Sequence, residues 1–407
     1  MARLLAALLC LTCARAPVGV AAEPAAYDVA LAPQKATDAS AQAASAQEAS
    51  TLAQFLRDRA HHHLATPSGG AVVFVASKYG LGNNLMGLSA AVLVAAATGR
   101  RVKVAGGRNS VEWLWRDFFE LPEEDWIDDA TKLAEVSVRD ALVGKDVPRN
   151  FKMTLAWSSL SLACANKTVW DALLTGLGGE ESVSRFPWEP KDNDSLEATL
   201  TFALGALRWS PRQRFAAEVS ARQMKIGWPK VALQVRACVD CKKWTMTSDM
   251  IRQDVACDLE WLSSERRKVE QRGPYAIFAA TESEAAAESI RETAAAVDKD
   301  ASVHFASEDA VKFIHTSVGT HSYEDRLSPL IDWWLLGEAD FFFSCGTSYS
   351  HSALGRRRTL PTAYVLHHHY AFKPLNESRP CSCADPGSPH KCPKLLLSAD
   401  FKHLRAP

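Results

Sequence analysis

The chain has 407 residues, of which 47% are apolar and 23% charged, with a formal net charge of -1. That length allows two ordinary domains or one large one. The near-zero charge excludes the global positive field by which nucleic-acid-binding and membrane-surface proteins find their partners, but leaves room for a local basic pocket around a small anion.

The chain opens "MARLLAALLCLTCARAPVGVAAEPAA". A basic Arg3, an apolar core over 4–14 and small residues at 20–22 predict a cleaved signal peptide, residues 1–22, and a mature protein in the secretory pathway, either in the Golgi lumen or secreted. No other segment approaches the length of a membrane span, so no stable span is expected. Beyond the leader, Cys164, Cys238, Cys241, Cys257, Cys345, Cys381, Cys383 and Cys392 form an even set of eight, which in an oxidising compartment predicts disulfides. Asn166, Asn193 and Asn376 head glycosylation sequons. Residues 23–66, rich in Ala, Gln and Ser, are expected to be a flexible stem or linker, or a lone helix with little to bury, and His61, His62 and His63 an exposed polar tract.

A first domain, 67–220, opens with an apolar strand "AVVFVAS" (71–77), a turn "KYGLGNN", an apolar helix with Asn83 as its expected N-cap, and a second strand "RVKVAG". A β-α-β crossover of this kind makes its two strands parallel. "VEWLWRDFFELP" reads as a helix or wide aromatic turn, and 125–215 as mostly helical. A second domain, 221–400, carries strands "VALQV" (231–235), "YAIFAAT" (275–281), "SVHFAS", "DFFFSC" and "TAYVLHH", with helices "ESEAAAESIRETAAAV", "SPLIDWWLLGEA" and "SYSHSALG" between them. Two runs of alternating strand and helix predict an α/β fold with two Rossmann-like parallel-sheet domains facing a cleft.

Several residues could carry chemistry. Gly80 and Gly82 lack both the GxGxxG spacing and the acid of a nicotinamide site, and the Lys-Ser/Thr pair of a phosphate-binding loop, so this turn either faces a ligand or simply packs tightly. Arg236, directly after "VALQV", emerges where its planar fork could hold two phosphate oxygens, or pair with a carboxylate. Asp332 sits among Ile331, Trp333 and Trp334, and a buried carboxylate needs donors; adjacent guanine N–H groups would suit it, as would a structural contact. Thr347, Ser348 and Tyr349 precede or open a short helix, where hydroxyls and amides can hold a diphosphate or merely cap. The Cys238/Cys241 and Cys381/Cys383 spacings are better read as disulfides than as zinc ligands, and no D-x-D pair is placed to hold a nucleotide-bound cation, so no metal is expected.

Taken together these motifs resemble the GDP-fucose fucosyltransferase superfamily that contains the plant xyloglucan α-1,2-fucosyltransferases, the core α-1,6-fucosyltransferases and the protein O-fucosyltransferases. "GLGNNLMGLSAAVLVAAATGRRVKV" is similar to its first motif, with Asn84 where Arg or Gln is usual. "VALQVR" is similar to its arginine motif, with Gln234 as in the plant branch where the core enzymes have His. "LIDWWLLGEADFFFSCGTSYSHSALG" is similar to its third motif. The resemblance implies a GT-B architecture with GDP-fucose held by the second domain, an oligosaccharide or polysaccharide acceptor in the first domain and the cleft, and inversion without a metal. It implies that Arg236 and Ser348 contact the β-phosphate, with Thr347 and Tyr349 beside them, that Asp332 reads guanine, that Gly80, Gly82, Asn83 and Asn84 face the ligand, and that Glu282 is the acid of the second motif. No general base stands out among Glu282, Asp325 and His321. A GT-B enzyme using another nucleotide sugar, or a catalytically silent carbohydrate-binding protein of the same fold, remain the rival readings.

Overall fold

The computed structural model describes residues 39–67, 69–76, 80–105, 113–120, 126–127, 129–155, 159–189, 193–223, 230–236, 247–268, 273–306, 322–357, 359–366 and 394–398. The signal-peptide reading and the cysteines at 238, 241, 381, 383 and 392 lie outside them. The described residues belong to one compact unit, Ala39–Pro407, and none of their helices is long and apolar enough to cross a membrane.

The unit begins with α1 (Ala39–Ala65), followed by β1 (Ala71–Val75), α2 (Leu81–Ala97), β2 (Arg101–Ala105), β3 (Trp126–Ile127), α3 (Val138–Val143) and β4 (Phe151–Met153). The helices α4 (Ser159–Cys164), α5 (Lys167–Arg185), α6 (Asn193–Thr201) and α7 (Gln213–Gln223) lead to the second half. That half comprises β5 (Val231–Val235), α8 (Ser248–Lys268), β6 (Tyr275–Thr281), α9 (Glu284–Val297), β7 (Ala301–His304), α10 (Tyr323–Gly337), β8 (Phe341–Ser344), α11 (Ser348–Gly355), β9 (Ala363–Leu366) and β10 (Lys394–Ser398).

Both expected sheets are present. The first runs β3-β2-β1-β4 and is parallel throughout; the second runs β10-β9-β8-β5-β6-β7, parallel except for β10 at its edge. Strands β5, β6 and β8 are buried along their whole length, which is why they read as unbroken apolar runs. Alternation still sorts their side chains. Val231, Leu233 and Val235 pack with α8 and α9, whereas Ala232 belongs to the core shared with α10 and α11. The same alternation puts Gln234 and Arg236 on the α10/α11 face.

Residues Ala39–Ala65 depart from the expected stem. They form a 27-residue helix that packs on α2, α5, α6, the 202–206 turn and β10. Ala46, Ala49, Leu52, Ala53, Leu56 and Ala60 are buried along one side. Their spacing is helical, and small alanines let the backbone lie close to its neighbours, so a mostly polar composition still supplies a buried stripe. The Ser398 amide donates to Ser50 Oγ at 2.8 Å, joining α1 to the sheet edge. His63 shares a 3.1 Å hydrogen bond with the Leu177 carbonyl, while His61 and His62 are exposed.

An aromatic cluster fixes α10. Phe118 stacks on Tyr323 with centroids 4.7 Å apart, Phe119 stacks on Trp334 at 5.5 Å, and Trp209 meets Trp333 at 5.4 Å. Arg326 adds a 3.2 Å ion pair to Asp117. Because Leu56 is fully buried, Leu56→Ala should lower unfolding free energy by about 2–5 kcal/mol. Urea denaturation checks this, and an unchanged midpoint would mean that α1 is not part of the core.

Candidate functional site

The second sheet winds outward in both directions from the neighbours β5 and β8. In such doubly wound sheets the crevice at the carboxyl ends of the two strands that flank the reversal is where ligands bind. Arg236 is the first residue after β5, Glu282 the first after β6, and the turn 345–347 follows β8. The register sets these ends side by side, with Gln234 opposite both Ser344 and Ala280, and Val235 opposite Thr281. Arg236 and Glu282 are both partly exposed. The Cys345 thiol, pushed up to about 12 by burial and then by the Glu282 charge, has the Arg236 amide and guanidinium acting against that rise. Arg236, Glu282 and Cys345 are therefore within electrostatic reach of one another.

The turn after β8 is held by a network of hydroxyls. Gln234 Oε1 accepts from Cys345 Sγ at 2.9 Å and from Thr347 Oγ1 at 3.4 Å. The Gly346 amide donates to Ser344 Oγ at 2.9 Å, and Gly346 has φ 67°, a conformation that favours glycine. Ser344 Oγ donates to Ser350 Oγ at 2.6 Å, which donates in turn to the Thr347 carbonyl at 2.8 Å. Thr347 Oγ1 also caps α11 by accepting from the Ser350 amide at 3.3 Å. Below this lies His351, whose Nδ1 meets the Tyr364 hydroxyl at 2.9 Å and whose ring is pulled down to about 4 by burial, so it is neutral.

The amino end of α2 comes to the same place. A Cβ on Gly82 would stand 2.4 Å from the Tyr349 amide nitrogen, so the two helix ends touch backbone to backbone. Asn83 is the third residue of α2, not its N-cap: Gly80 holds that position without a side-chain cap. The helix starts earlier than expected, which frees Asn83 Oδ1 to accept a hydrogen bond from Ser348 Oγ. Two helix amino termini, each carrying partial positive charge, converge here, and an anion between them would be stabilised.

Asp332 faces this junction from α10. Tyr349 donates its hydroxyl to the Pro329 carbonyl, one turn before Asp332, and the Asp332 charge raises the Tyr349 phenol further after burial has already done so. Burial pushes the Asp332 carboxyl itself up to about 8, and it has no hydrogen-bond or ion-pair partner among the described residues.

The structure thus brings together Gly80, Gly82, Asn83, Arg236, Glu282, Asp332, Ser348 and Tyr349. Two further expected residues act differently. Asn84 is fully buried and its amide donates back to the Gly80 carbonyl at 3.3 Å, and Thr347 is 3% exposed with its hydroxyl engaged on both sides. Both shape the turns and do not present groups to a ligand. Asp325 is spent on the capping box of α10, accepting from the Ser322 amide and hydroxyl at 3.2 Å and 2.8 Å, and so is a poor base candidate. His321 lies outside the described residues.

Sequence reading missed the part played by Gln234, Ser344, Cys345 and Ser350. A lone Gln two residues before a strand-end Arg, on the same face, was the available signal. Among the described residues no three His, Cys, Asp or Glu side chains gather as a metal set. The expectation of eight paired cysteines is corrected: Cys164 and Cys345 are free and buried. Cys345 instead donates its thiol to Gln234, and neither bonds another cysteine. Cys257 is disulfide-bonded, with its partner outside the described residues.

No family model and no curated protein matches the chain. Among solved structures it is similar to a point mutant of FUT1 from Arabidopsis thaliana in complex with GDP, at 15% identity over 74% of this chain and 72% of that one, with a TM-score of 0.44. It is also similar to NodZ α-1,6-fucosyltransferase co-crystallised with GDP, at 14% identity over 72% and 94% of the two chains and a TM-score of 0.40. POFUT1 in complex with GDP-fucose is similar at 13% identity, 72% and 95% coverage and a TM-score of 0.36.

Asp332 yields a pH prediction. Its folded pKa, about 8, is raised above the unfolded value, so the folded state holds the extra proton and loses stability as pH rises from about 4 to 8. Asp332→Asn should remove this loss, and the variant should gain stability relative to the parent between pH 5 and pH 9 in urea denaturation. Parallel pH profiles for the two proteins would show that Asp332 is ordinarily ionised.

Proposed function

We propose that the chain is an inverting, metal-independent GT-B glycosyltransferase that moves L-fucose from GDP-fucose to a hydroxyl of an oligosaccharide or polysaccharide acceptor. The observation that carries this reading is the convergence, at the reversal point of the second sheet, of Arg236, the amino end of α11 and the amino end of α2. That junction is suited to a diphosphate, and Asp332 stands beside it as a carboxyl without a partner among the described residues.

In this reading the Arg236 fork takes two oxygens of the diphosphate, and the Ser348 hydroxyl with the first amides of α11 takes the others. Asp332, once ionised, accepts the adjacent N1–H and N2–H of guanine. The acceptor oxygen attacks the fucose anomeric carbon from the face opposite GDP, the bond from that carbon to the phosphate oxygen breaks, and the configuration inverts. Charge growing on the departing GDP is met by Arg236 and the helix amides, an arrangement that favours the transition state because the donors are already in place. Glu282, one strand over, is the candidate to receive the acceptor's proton. Gln234 keeps the phosphate-facing turn in shape through Cys345 and Thr347.

Calorimetric titration with GDP, UDP and ADP, in EDTA, tests the donor site. GDP should bind selectively, and Arg236→Ala should weaken it roughly tenfold to a hundredfold, as loss of charge-assisted hydrogen bonds does. Equal, weak binding of all three nucleotides to folded protein would sink the donor assignment. Selective GDP binding without fucose transfer to any glycan would instead favour a silent binder.

Proton linkage separates guanine recognition from phosphate binding. GDP would bind the ionised form of Asp332, so its affinity should rise with pH up to about 8, falling by at most about tenfold per pH unit below that. Asp332→Asn should abolish this dependence. A pH-independent affinity in the parent protein would remove Asp332 from the guanine site while leaving Arg236 in place.

A further inference from the structure

We infer that Asn166 is an N-glycosylation site and that its innermost sugar covers Leu162. Asn166, Lys167 and Thr168 make up one of the three sequons, and all three are exposed at the amino end of α5, just after α4. Asn166 has extended backbone, φ -96° and ψ 123°, and is the N-cap of α5. Its Oδ1 accepts from the Thr168 amide at 2.9 Å and from the Val169 amide at 3.4 Å. The cap uses only the oxygen. Glycosylation uses only Nδ2, so a modified Asn166 still caps the helix.

A second observation points to the same spot. Leu162, four residues earlier on α4, is 67% exposed, the most exposed of the large apolar side chains among the described residues. Trp188, itself only partly buried, donates its indole N–H to the Cys164 carbonyl at 3.3 Å and so brings an aromatic edge to this turn. A sugar ring has an apolar face, and one attached at Asn166, four positions after Leu162 and two after the Cys164 carbonyl that Trp188 bonds, would find both side chains on this part of the surface. By contrast, the sequon at Asn193 runs directly into buried residues 196–200, and Asn376 lies outside the described residues.

The modification needs a polyprenyl-diphosphate-linked oligosaccharide as donor. Asn166 Nδ2 attacks the anomeric carbon of its first sugar. The N–C bond forms, the bond from that carbon to the diphosphate oxygen breaks, the lipid diphosphate leaves, and one Nδ2 proton passes to a base of the transferring enzyme.

The full chain, placed behind an added secretion leader in a eukaryotic host, tests this without relying on its own amino terminus. Peptide mass spectrometry of the secreted protein should find a glycan on Asn166, lost in both Asn166→Asp and Thr168→Ala. Asn166→Asp preserves the cap, so its denaturation midpoint should match that of the parent treated with peptide N-glycosidase, which leaves the same aspartate. Unmodified Asn166 in secreted, folded parent protein would overturn the inference. The cover over Leu162 has its own readout: binding of an apolar dye should rise when the whole glycan is removed, stay low when an endoglycosidase leaves the innermost sugar, and show no such rise in Leu162→Asp. Dye binding that ignores the glycan would leave the sugar in place but overturn its role as a cover.

Discussion

A Cβ on Gly82 would meet the Tyr349 amide nitrogen at 2.4 Å and its Cα at 2.6 Å, so the helix leaving the first sheet and the helix leaving the second approach as closely as main chains can. The approach brings two positive helix ends to one point, which in isolation is unfavourable. The junction is made tolerable by polar links: Ser348 to Asn83, and Tyr349 to the Pro329 carbonyl. It places Asp332, the strand-end Arg236 and two sets of amides around one small region. Without a glycine at position 82 the ends would separate, and the geometry on which every other site contact depends would be lost.

Rigidity under this junction comes from side chains that would not themselves touch a ligand. Ser344, Thr347, Ser350 and Gln234 each have their polar atoms bonded within a buried network, a condition under which such a network specifies one conformation instead of costing stability. On the other side, Trp333 and Trp334 directly follow Asp332 in sequence and are locked into the aromatic cluster with Phe119 and Trp209. Arg356 lies 3.8 Å from the Trp334 ring centre and bonds Glu338 at 2.8 Å, tying the end of α11 to that of α10. Desolvation of the carboxyl among these packed neighbours is the physical source of its raised pKa.

How much of this was legible in the chain depended on how locally each feature is encoded. The strands at 231–235 and 275–281 were readable to the residue, because burial on both faces demands continuous apolar side chains. The helix at 348–355 was equally plain from its hydroxyl-rich start. Helix α1 was misread because its buried stripe is mostly alanine, which counts little in composition but fits where backbones lie close. The long α8 and the short β10 are absent from that reading: α8 is polar on average, and β10 takes its place through distant partners, pairing antiparallel with β9 and packing on α1. The positions of Arg236 at a strand end and Ser348 at a helix start are legible in the chain, and the structure puts them there. Asn83 was given a capping role because its partner, Ser348, lies 265 positions away and nothing nearby hints at it. Gln234 was visible as a residue but not as an organiser, since its two partners lie more than a hundred positions ahead.

The hydrogen bond from the Ser398 amide to Ser50 spans 348 positions, and it bears on how the protein comes into being. Helix α1 leaves the ribosome well before β10, the strand on which it partly rests. At roughly 5–20 residues per second, that partner arrives about 17–70 s later. During this interval the alanine and leucine stripe of α1 has only part of its seat, and at its close the newly made β9 has an uncovered outer edge until β10 follows. An open strand edge beside an unsatisfied apolar face invites wrong pairing, and closure of β10 onto both removes the two hazards together.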